Sequence, residues 1–458
     1  MCAVLAVRRC ARSLVVAFVG TWCFAAPAWA QNAPPQPVRG VEVFCRNWQI
    51  GAADGRTGDG LGPVHNAASC VACHFQGGTG GAGPNDNNVQ MLTFADDDTT
   101  RRKARRSSVQ RSLLAATHPD FSQANAIILH RFGASDEYAP WRERILDIDV
   151  PEGLSPVQAA LRRKAIRRRT ARQRPVETIR HNGVPLLLSQ RNTPALFGAG
   201  TIDRISAEDM RAIEREQAKR HSGESGRVPP AGEGDVGRFG WRGQIATLEA
   251  FVLSACANEL GLQTPNHPQP LDPIERTTST GEDMTFAECQ ALVKFVADLP
   301  PPRRIVPTDR AAAALVNNGE LLFGNLGCAV CHVADVGPAE GIYSDLLLHD
   351  LGPGLADPLP ARPLTVRTGT EANSYYGVTT TRDILADVDT NARQEWRTPP
   401  LWGVRDSAPY LHDGRAATLE DAIALHGGEA APAAGRFLEL PEPARSNVLL
   451  FLNTMGAP

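Results

Sequence analysis

The chain has 458 residues, with 47 Lys and Arg against 50 Asp and Glu, for a formal net charge of −3. That balance excludes a globally basic nucleic-acid binder, and 42% hydrophobic with 21% charged residues excludes a mostly disordered chain. The length suits two or three domains at about 150 residues each, and 41 Gly with 35 Pro predict many turns and irregular connections.

Residues 1–30 read as an export signal. Arg8, Arg9 and Arg12 form a basic start, Ser13 to Ala26 an apolar run too short to span a bilayer, and Ala28-Trp29-Ala30 a small-x-small cleavage site. Cleavage there starts the mature protein at Gln31 and takes its charge from −3 to −6. No later segment reaches the roughly 18 apolar residues a membrane helix needs. The expectation is an exported periplasmic protein without a membrane span.

Cysteine spacing carries the chemistry. Cys70-Val71-Ala72-Cys73-His74 and Cys328-Ala329-Val330-Cys331-His332 are both C-x-x-C-H, the c-type haem attachment frame. Two thiols three apart reach the two vinyl groups on one porphyrin edge, and the adjacent His points its imidazole at the iron. A four-Cys zinc site does not explain a His in both frames, nor a separation of 255 residues between them. Two covalent haem c groups are therefore expected. Cys45, Cys256 and Cys289 are left over, with a Cys256–Cys289 bridge as one open reading.

Between and beyond the frames the chain reads as mainly helical, with long loops. Gly77 to Pro84 is glycine-rich and leaves the backbone bare, either to admit substrate or as a simple connection. Arg101–Arg111 and Arg162–Arg174 are basic runs, read as solvated faces or as a dock for an acidic electron donor. They lack the interleaved aromatics of a nucleic-acid site. Thr247 predicts the N-cap of a helix ending before Gly261. Asp298-Leu299-Pro300-Pro301-Pro302 reads as a stiff linker, which divides the mature chain into haem domains at 31–302 and 303–458. Asp309 predicts the N-cap of a helix to Phe323 that runs into the second frame.

The halves repeat one another. Thr193-Pro194-Ala195-Leu196-Phe197-Gly198 recurs as Thr398-Pro399-Pro400-Leu401-Trp402-Gly403, and Gly243 to Glu249 recurs as Gly414 to Glu420. An internal duplication of a cytochrome c-like domain is expected, the first copy enlarged near 85–180 and 199–237. The repeated helix separates the copies. In the second, His426 falls eight residues after the Thr418 cap, on the face of Leu419, Ala422 and Ile423. No Met lies between Met284 and Met455, so His426 is the candidate sixth ligand, with His349 as its rival. In the first copy the eighth position is Ala255, which cannot ligate iron. Glu259, four residues on, has the character of a general acid/base beside an open iron.

With Arg191-Asn192-Thr193-Pro194, Phe239-Gly240-Trp241, Tyr343 to Asp350, Glu395 to Gly403 and Tyr410 to Arg415, these residues resemble the di-haem oxidoreductase family, a branch of the bacterial di-haem cytochrome c peroxidases. The resemblance covers nearly all of the mature chain and is most specific in its last 130 residues. It implies a distal ligand fourteen residues past His412, which is His426, where those peroxidases usually carry Met. Bis-His ligation implies a lower potential than His/Met. It places the inter-haem Trp on Trp241 and the catalytic Glu on Gly261, two residues from Glu259. It puts Gln90 where the peroxidases have a distal His. It matches a calcium site to Asn192, Ser407 and Pro409. The implied function is reduction of hydrogen peroxide, or of another small substrate, at the first haem. Electrons would arrive through the second from a small cytochrome c or cupredoxin, with a homodimer as an allowed assembly. A di-haem electron carrier without substrate and a di-haem oxygenase or oxidase of another substrate are the alternatives.

Overall fold

The computed structural model describes residues 38–51, 57–94, 109–146, 155–158, 176–231, 235–357 and 392–458, apart from single positions at 111, 123, 125, 156, 222 and 280. The export signal and most of both basic runs lie outside the described residues. No described helix is long and apolar enough to cross a membrane.

In chain order the helices are α1 (Gly40–Cys45), α2 (Tyr138–Ile145), α3 (Ala199–Asp203), α4 (Ala207–Arg220), α5 (Leu248–Leu260), α6 (Phe286–Ala297), α7 (Arg310–Asn325), α8 (Leu419–Ala424), α9 (Ala431–Glu439) and α10 (Glu442–Leu452). The strands are β1 (Val64–His65), β2 (Val89–Phe94), β3 (Ala126–Ile128), β4 (Phe132–Gly133), β5 (Glu177–His181), β6 (Val184–Arg191), β7 (Leu348–Asp350) and β8 (Glu395–Arg397).

The capping residues behave as their chemistry requires. Thr247 accepts from Ala250 N at the start of α5, and Gly261 ends that helix in the left-handed region at φ 65°. Asp309 accepts from Ala312 N at the start of α7, and Thr418 forms a capping box with Asp421 on α8. α8 stops at Ala424, so His426 stands just beyond the helix, in the following turn.

The sequence shows little strand alternation, yet β3-β2-β6-β5 form a four-stranded antiparallel sheet. The signal is weak because both faces of its central strands are covered: β2 is buried at five of six positions. Leu92, Phe94, Ile127 and Leu186 of this sheet share a core with Tyr138, Trp141 and Ile145 of α2.

Two further cores frame the cysteine motifs. The larger joins Phe44 of α1, Val252 of α5 and Leu292 and Val296 of α6 to Ile342, Leu346 and Trp402, so it draws on both sides of the Pro300–Pro302 stretch. The other packs Phe323 of α7 against Phe437 of α9 and Val448 and Phe451 of α10. α7 lies close along α10: a Cβ built on Gly319 would stand 1.9 Å from the Asn447 carbonyl oxygen and 3.0 Å from Phe451 Cβ. Gly319→Val should therefore force the two helices apart and cost about 2 kcal/mol or more, read as a lower denaturation midpoint with an unchanged slope.

Candidate functional site: two thiol–imidazole frames on one cavity

Each C-x-x-C-H frame is a single 3₁₀ turn. Ser69 caps the first, accepting from Ala72 N at 3.3 Å, and His74 N donates to Cys70 O at 3.0 Å. Gly327, at φ 90°, opens the second, where His332 N donates to Cys328 O at 3.0 Å. The turn places both thiols and the imidazole on one side of the backbone. Burial pushes the Cys70 and Cys73 thiols up to about 12 and Cys328 to about 11, so they stay protonated and unpaired. None of the seven cysteines among the described residues is in a disulfide; Cys256 and Cys289 are separate buried thiols, and the bridge between them is not formed.

Both frame histidines are oriented from behind. His74 Nδ1 lies 3.1 Å from Gly81 O, and His332 Nδ1 lies 2.9 Å from Tyr343 O. A carbonyl there assigns the proton to Nδ1, and the Pro194 carbonyl also lies against the His74 ring. Burial lowers both imidazoles to about 4, which keeps them neutral and able to ligate. The glycine-rich loop thus holds His74 from behind through the Gly81 carbonyl. Gly81 has to be glycine, since a Cβ would meet Gln76 O at 1.7 Å. Tyr343 takes φ 47°, uncommon for a non-glycine residue, to aim its carbonyl. Its hydroxyl donates to Glu320 at 2.8 Å and its ring packs edge-on against Phe451, which hold it there.

The two frames open onto one cavity of about 410 Å³ whose wall includes Cys70, Cys73, His74, Cys328, Cys331 and His332. Ala255 and Glu259 of α5, Trp241, His349 and His426 also line it. His426 Nδ1 donates to Ala422 O at 2.7 Å, so its Nε2 is the nitrogen left for a ligand. His349 has neither nitrogen to spare: Nδ1 meets Glu429 Oε2 at 2.6 Å and Nε2 meets Asp345 Oδ2 at 2.8 Å. Burial opposes its charge, but these carboxylates raise it far above its ordinary value. Asp345, His349 and Cys331 also group closely enough to hold a metal ion, but Cys331 belongs to the second frame. His65, His118, His130, His181, His221 and His267 are not among the cavity-lining residues, and neither is Gln90, which accepts from Arg142 on the sheet side.

Trp241 sits where the two parts of the chain meet. Its Nε1 donates to Asn192 O at 3.0 Å and its carbonyl accepts from Arg397 N at 3.1 Å. Arg397 Nε donates to Gly240 O at 2.9 Å. Asn192 N donates to His412 O at 2.8 Å, and Asn192 Nδ2 to Gly83 O at 3.1 Å and Asn88 Oδ1 at 3.0 Å. Pro409 and Asn192 both flank Gly414, while the Ser407 hydroxyl donates to Gly403 O at 2.8 Å. Beside them, Trp396 is stacked on His412 at 3.7 Å, with the Arg242 guanidinium 4.0 Å from the Trp396 ring.

Among the described residues, three buried donors on the cavity wall have no hydrogen-bond partner, Arg191 Nε, Arg397 Nη1 and Trp402 Nε1, whereas His412 Nε2 faces Asp357 Oδ1 at 3.8 Å. Unpaired buried donors are costly unless a ligand satisfies them. A haem brings apolar faces, vinyl carbons for thiols, an iron for imidazole and carboxylates for such donors. The residues present fit it. Only the thiols and imidazoles were legible in the sequence; a donor left without a partner has no sequence signature.

Residues 376–455 match the family described as "Di-haem oxidoreductase, putative peroxidase". Over that segment the chain is similar to the di-haem oxidoreductases. That similarity supports a general di-haem redox role with haem as cofactor. The chain is also 29% identical over 112 residues to hydrazine synthase subunit gamma of Kuenenia stuttgartiensis, a match covering 23% of this chain and 31% of that protein. It thus spans about a third of that relative's length. Among solved structures, Kuenenia stuttgartiensis hydrazine synthase pressurised with xenon aligns at 17% identity over 58% of this chain and 72% of that one, with a TM-score of 0.30. A MauG-like protein associated with microbial copper homeostasis aligns at 18% identity over 55% and 90%, with a TM-score of 0.28.

The cavity wall depends on a buried ion pair. Arg191 of β6 binds Asp357, both almost fully enclosed. Burial pushes the Asp357 carboxyl up, but Arg191, with His412 and Arg242, pulls it well below the usual carboxylate range. A carboxyl depressed in the fold stabilises it above the unfolded value of about 3.9, and that stability is lost as pH falls further. Asp357→Asn leaves Arg191 without its counter-charge and should cost about 3–5 kcal/mol at pH 7. It should also flatten the acid side of the stability profile, both measured by chemical denaturation.

Proposed function

We propose that the chain is an exported, periplasmic di-haem c-type oxidoreductase that reduces hydrogen peroxide, with electrons from a small cytochrome c or cupredoxin. One observation carries this reading. Two equivalent frames share a cavity, but the eighth position after the helix cap is an imidazole in one half and the methyl of Ala255 in the other.

We also read the halves as copies, divided as 31–302 and 303–458. Several paired features support this. The frames are matching 3₁₀ turns. Gly198 and Gly403 end the T-P-x-L-x-G segments at φ 74° and 71°. The bridges Phe239↔Ile245 and Tyr410↔Ala416 precede the Thr247 and Thr418 caps.

Cys70 and Cys73 would hold one haem with His74 at its iron; Cys328 and Cys331 would hold the other with His332 and His426. Bound there, the haems supply electron storage and an iron site for a small ligand. The protein supplies the rest. Arg191, Arg397 and Trp402 would bind the haem carboxylates. Trp241, on the cavity wall and hydrogen-bonded to both Asn192 and Arg397, would shorten the path between the frames. Asn192 with Ser407 and Pro409 would hold calcium at the same junction, a role supported by the closeness of Asn192 and Pro409 to Gly414.

Reducing one hydrogen peroxide to two waters takes two electrons and two protons. Glu259 would deliver protons. Burial raises its carboxyl to about 7, opposed by a hydrogen bond from Asn66, so it holds a proton at neutral pH and can return one.

The holoprotein should contain one high-spin and one low-spin haem by optical and EPR spectroscopy, with cyanide binding only the former. Two saturated irons indifferent to cyanide would remove the enzymatic reading and leave an electron carrier. Glu259→Gln should lower peroxide turnover about 10²–10⁴-fold while leaving haem content and both spin states unchanged.

A further inference from the structure

Glu259 lies in the last turn of α5, a part of a helix that frays unless it is tied down. Here it is tied by earlier segments of the same chain. Gly62 N donates to Leu260 O at 3.1 Å, and Asn66 N donates to Glu259 O at 2.7 Å. His130 Nε2 lies 2.9 Å from Asn258 O. β1 and β4, which these contacts flank, pair as Val64↔Gly133 and His65↔Phe132.

Asn66 does more than hold the backbone. It is almost fully buried, and its amide has a determined orientation. Nδ2 donates to Glu259 Oε2 at 2.8 Å, while Oδ1 accepts from Arg131 N at 2.9 Å. Flipping the amide would set Oδ1 against a carboxyl oxygen and Nδ2 against an N–H, so the network allows one arrangement. A donor on Oε2 has two chemical consequences. It stabilises the carboxylate, against the burial that disfavours it. It also occupies Oε2 as an acceptor, so the proton of the neutral acid belongs on Oε1.

We propose that Asn66 is the positioning residue of Glu259: it fixes the carboxyl on the cavity wall, directs its exchangeable proton to Oε1 and keeps its ionised form accessible. The proposal rests on the reading of Glu259 as the proton donor. Without Asn66 the buried carboxyl would hold its proton too firmly to return it. With a stronger cationic partner it would lose the proton and have none to give. The other titratable groups around Glu259 do not take over this part. The Cys70 and Cys73 thiols become thioethers on haem attachment. His65 and His130 are kept neutral, both lowered by burial. The Arg131 side chain donates to Asp86 O at 2.8 Å and lies over the Phe132 ring.

The test is infrared spectroscopy of the ferric holoprotein as a function of pH, with the Glu259 carboxyl band assigned by its loss in Glu259→Gln. In the wild type the protonated band should sit at the lowered frequency of a hydrogen-bonded carboxyl. In Asn66→Asp, which keeps the shape and the acceptor for Arg131 N but brings no amide donor, the midpoint of the band should rise by a pH unit or more. That is at least a tenfold gain in proton affinity. Asn66→Ala should shift it in the same direction. Midpoints unchanged in both variants, or a wild-type band at the free-carboxyl frequency, would overturn the proposal. The second result needs no variant, so it stands if the substitutions impair folding. Full peroxide turnover in Glu259→Gln would instead remove Glu259 as proton donor, whatever the infrared midpoints show.

Discussion

Each frame histidine is held through Nδ1 by a main-chain carbonyl, and the geometry of the cavity depends on that pair of hydrogen bonds. With Nδ1 engaged by Gly81 O or Tyr343 O, the proton is assigned to Nδ1, and burial keeps the ring neutral. Neither carbonyl could be placed by ordinary backbone. One comes from a glycine loop too tight for a Cβ, the other from a tyrosine in the left-handed region, held there by Glu320 and Phe451. The local conformational cost is small beside the gain of a preset ligand.

Around these fixed points the cavity is built from both parts of the chain. The main core unites α1, α5 and α6 with Ile342, Leu346 and Trp402, and Trp241 is hydrogen-bonded between Asn192 and Arg397. The wall is not symmetric. His426 presents an imidazole beside the second frame, and Ala255 and Glu259 present a methyl and a carboxyl beside the first. The unpartnered donors of Arg191, Arg397 and Trp402 give the apolar wall a polar edge suited to carboxylates. Apolar walls, thiols and imidazoles, and stranded donors are together the complement of a porphyrin, and no one of them alone would be.

Several elements were legible because their signals are local. Thr247, Thr418 and Asp309 cap helices by side-chain hydrogen bonds within four residues, and Gly261 ends one by its backbone freedom. The four-stranded sheet was not legible, because strands covered on both faces lose the period-two pattern. His349 and His426 could not be ranked from sequence, because the difference lies in Asp345 and Glu429 occupying both nitrogens of one ring and leaving one nitrogen of the other.

The sequence by itself determined the local grouping of two thiols and an imidazole, since a C-x-x-C-H frame of five residues keeps them close in space whatever the rest of the chain does. It also determined the contrast between Ala255 and His426, which is a matter of identity at matched positions. Only the tertiary structure decided that both frames face one cavity, that Asn66 meets Glu259 across 193 residues, and that Arg191, Arg397 and Trp402 leave donors stranded on the wall. These are contacts between distant segments. Their energies come from burial and from hydrogen bonds made or left unmade, and neither exists until the chain has folded.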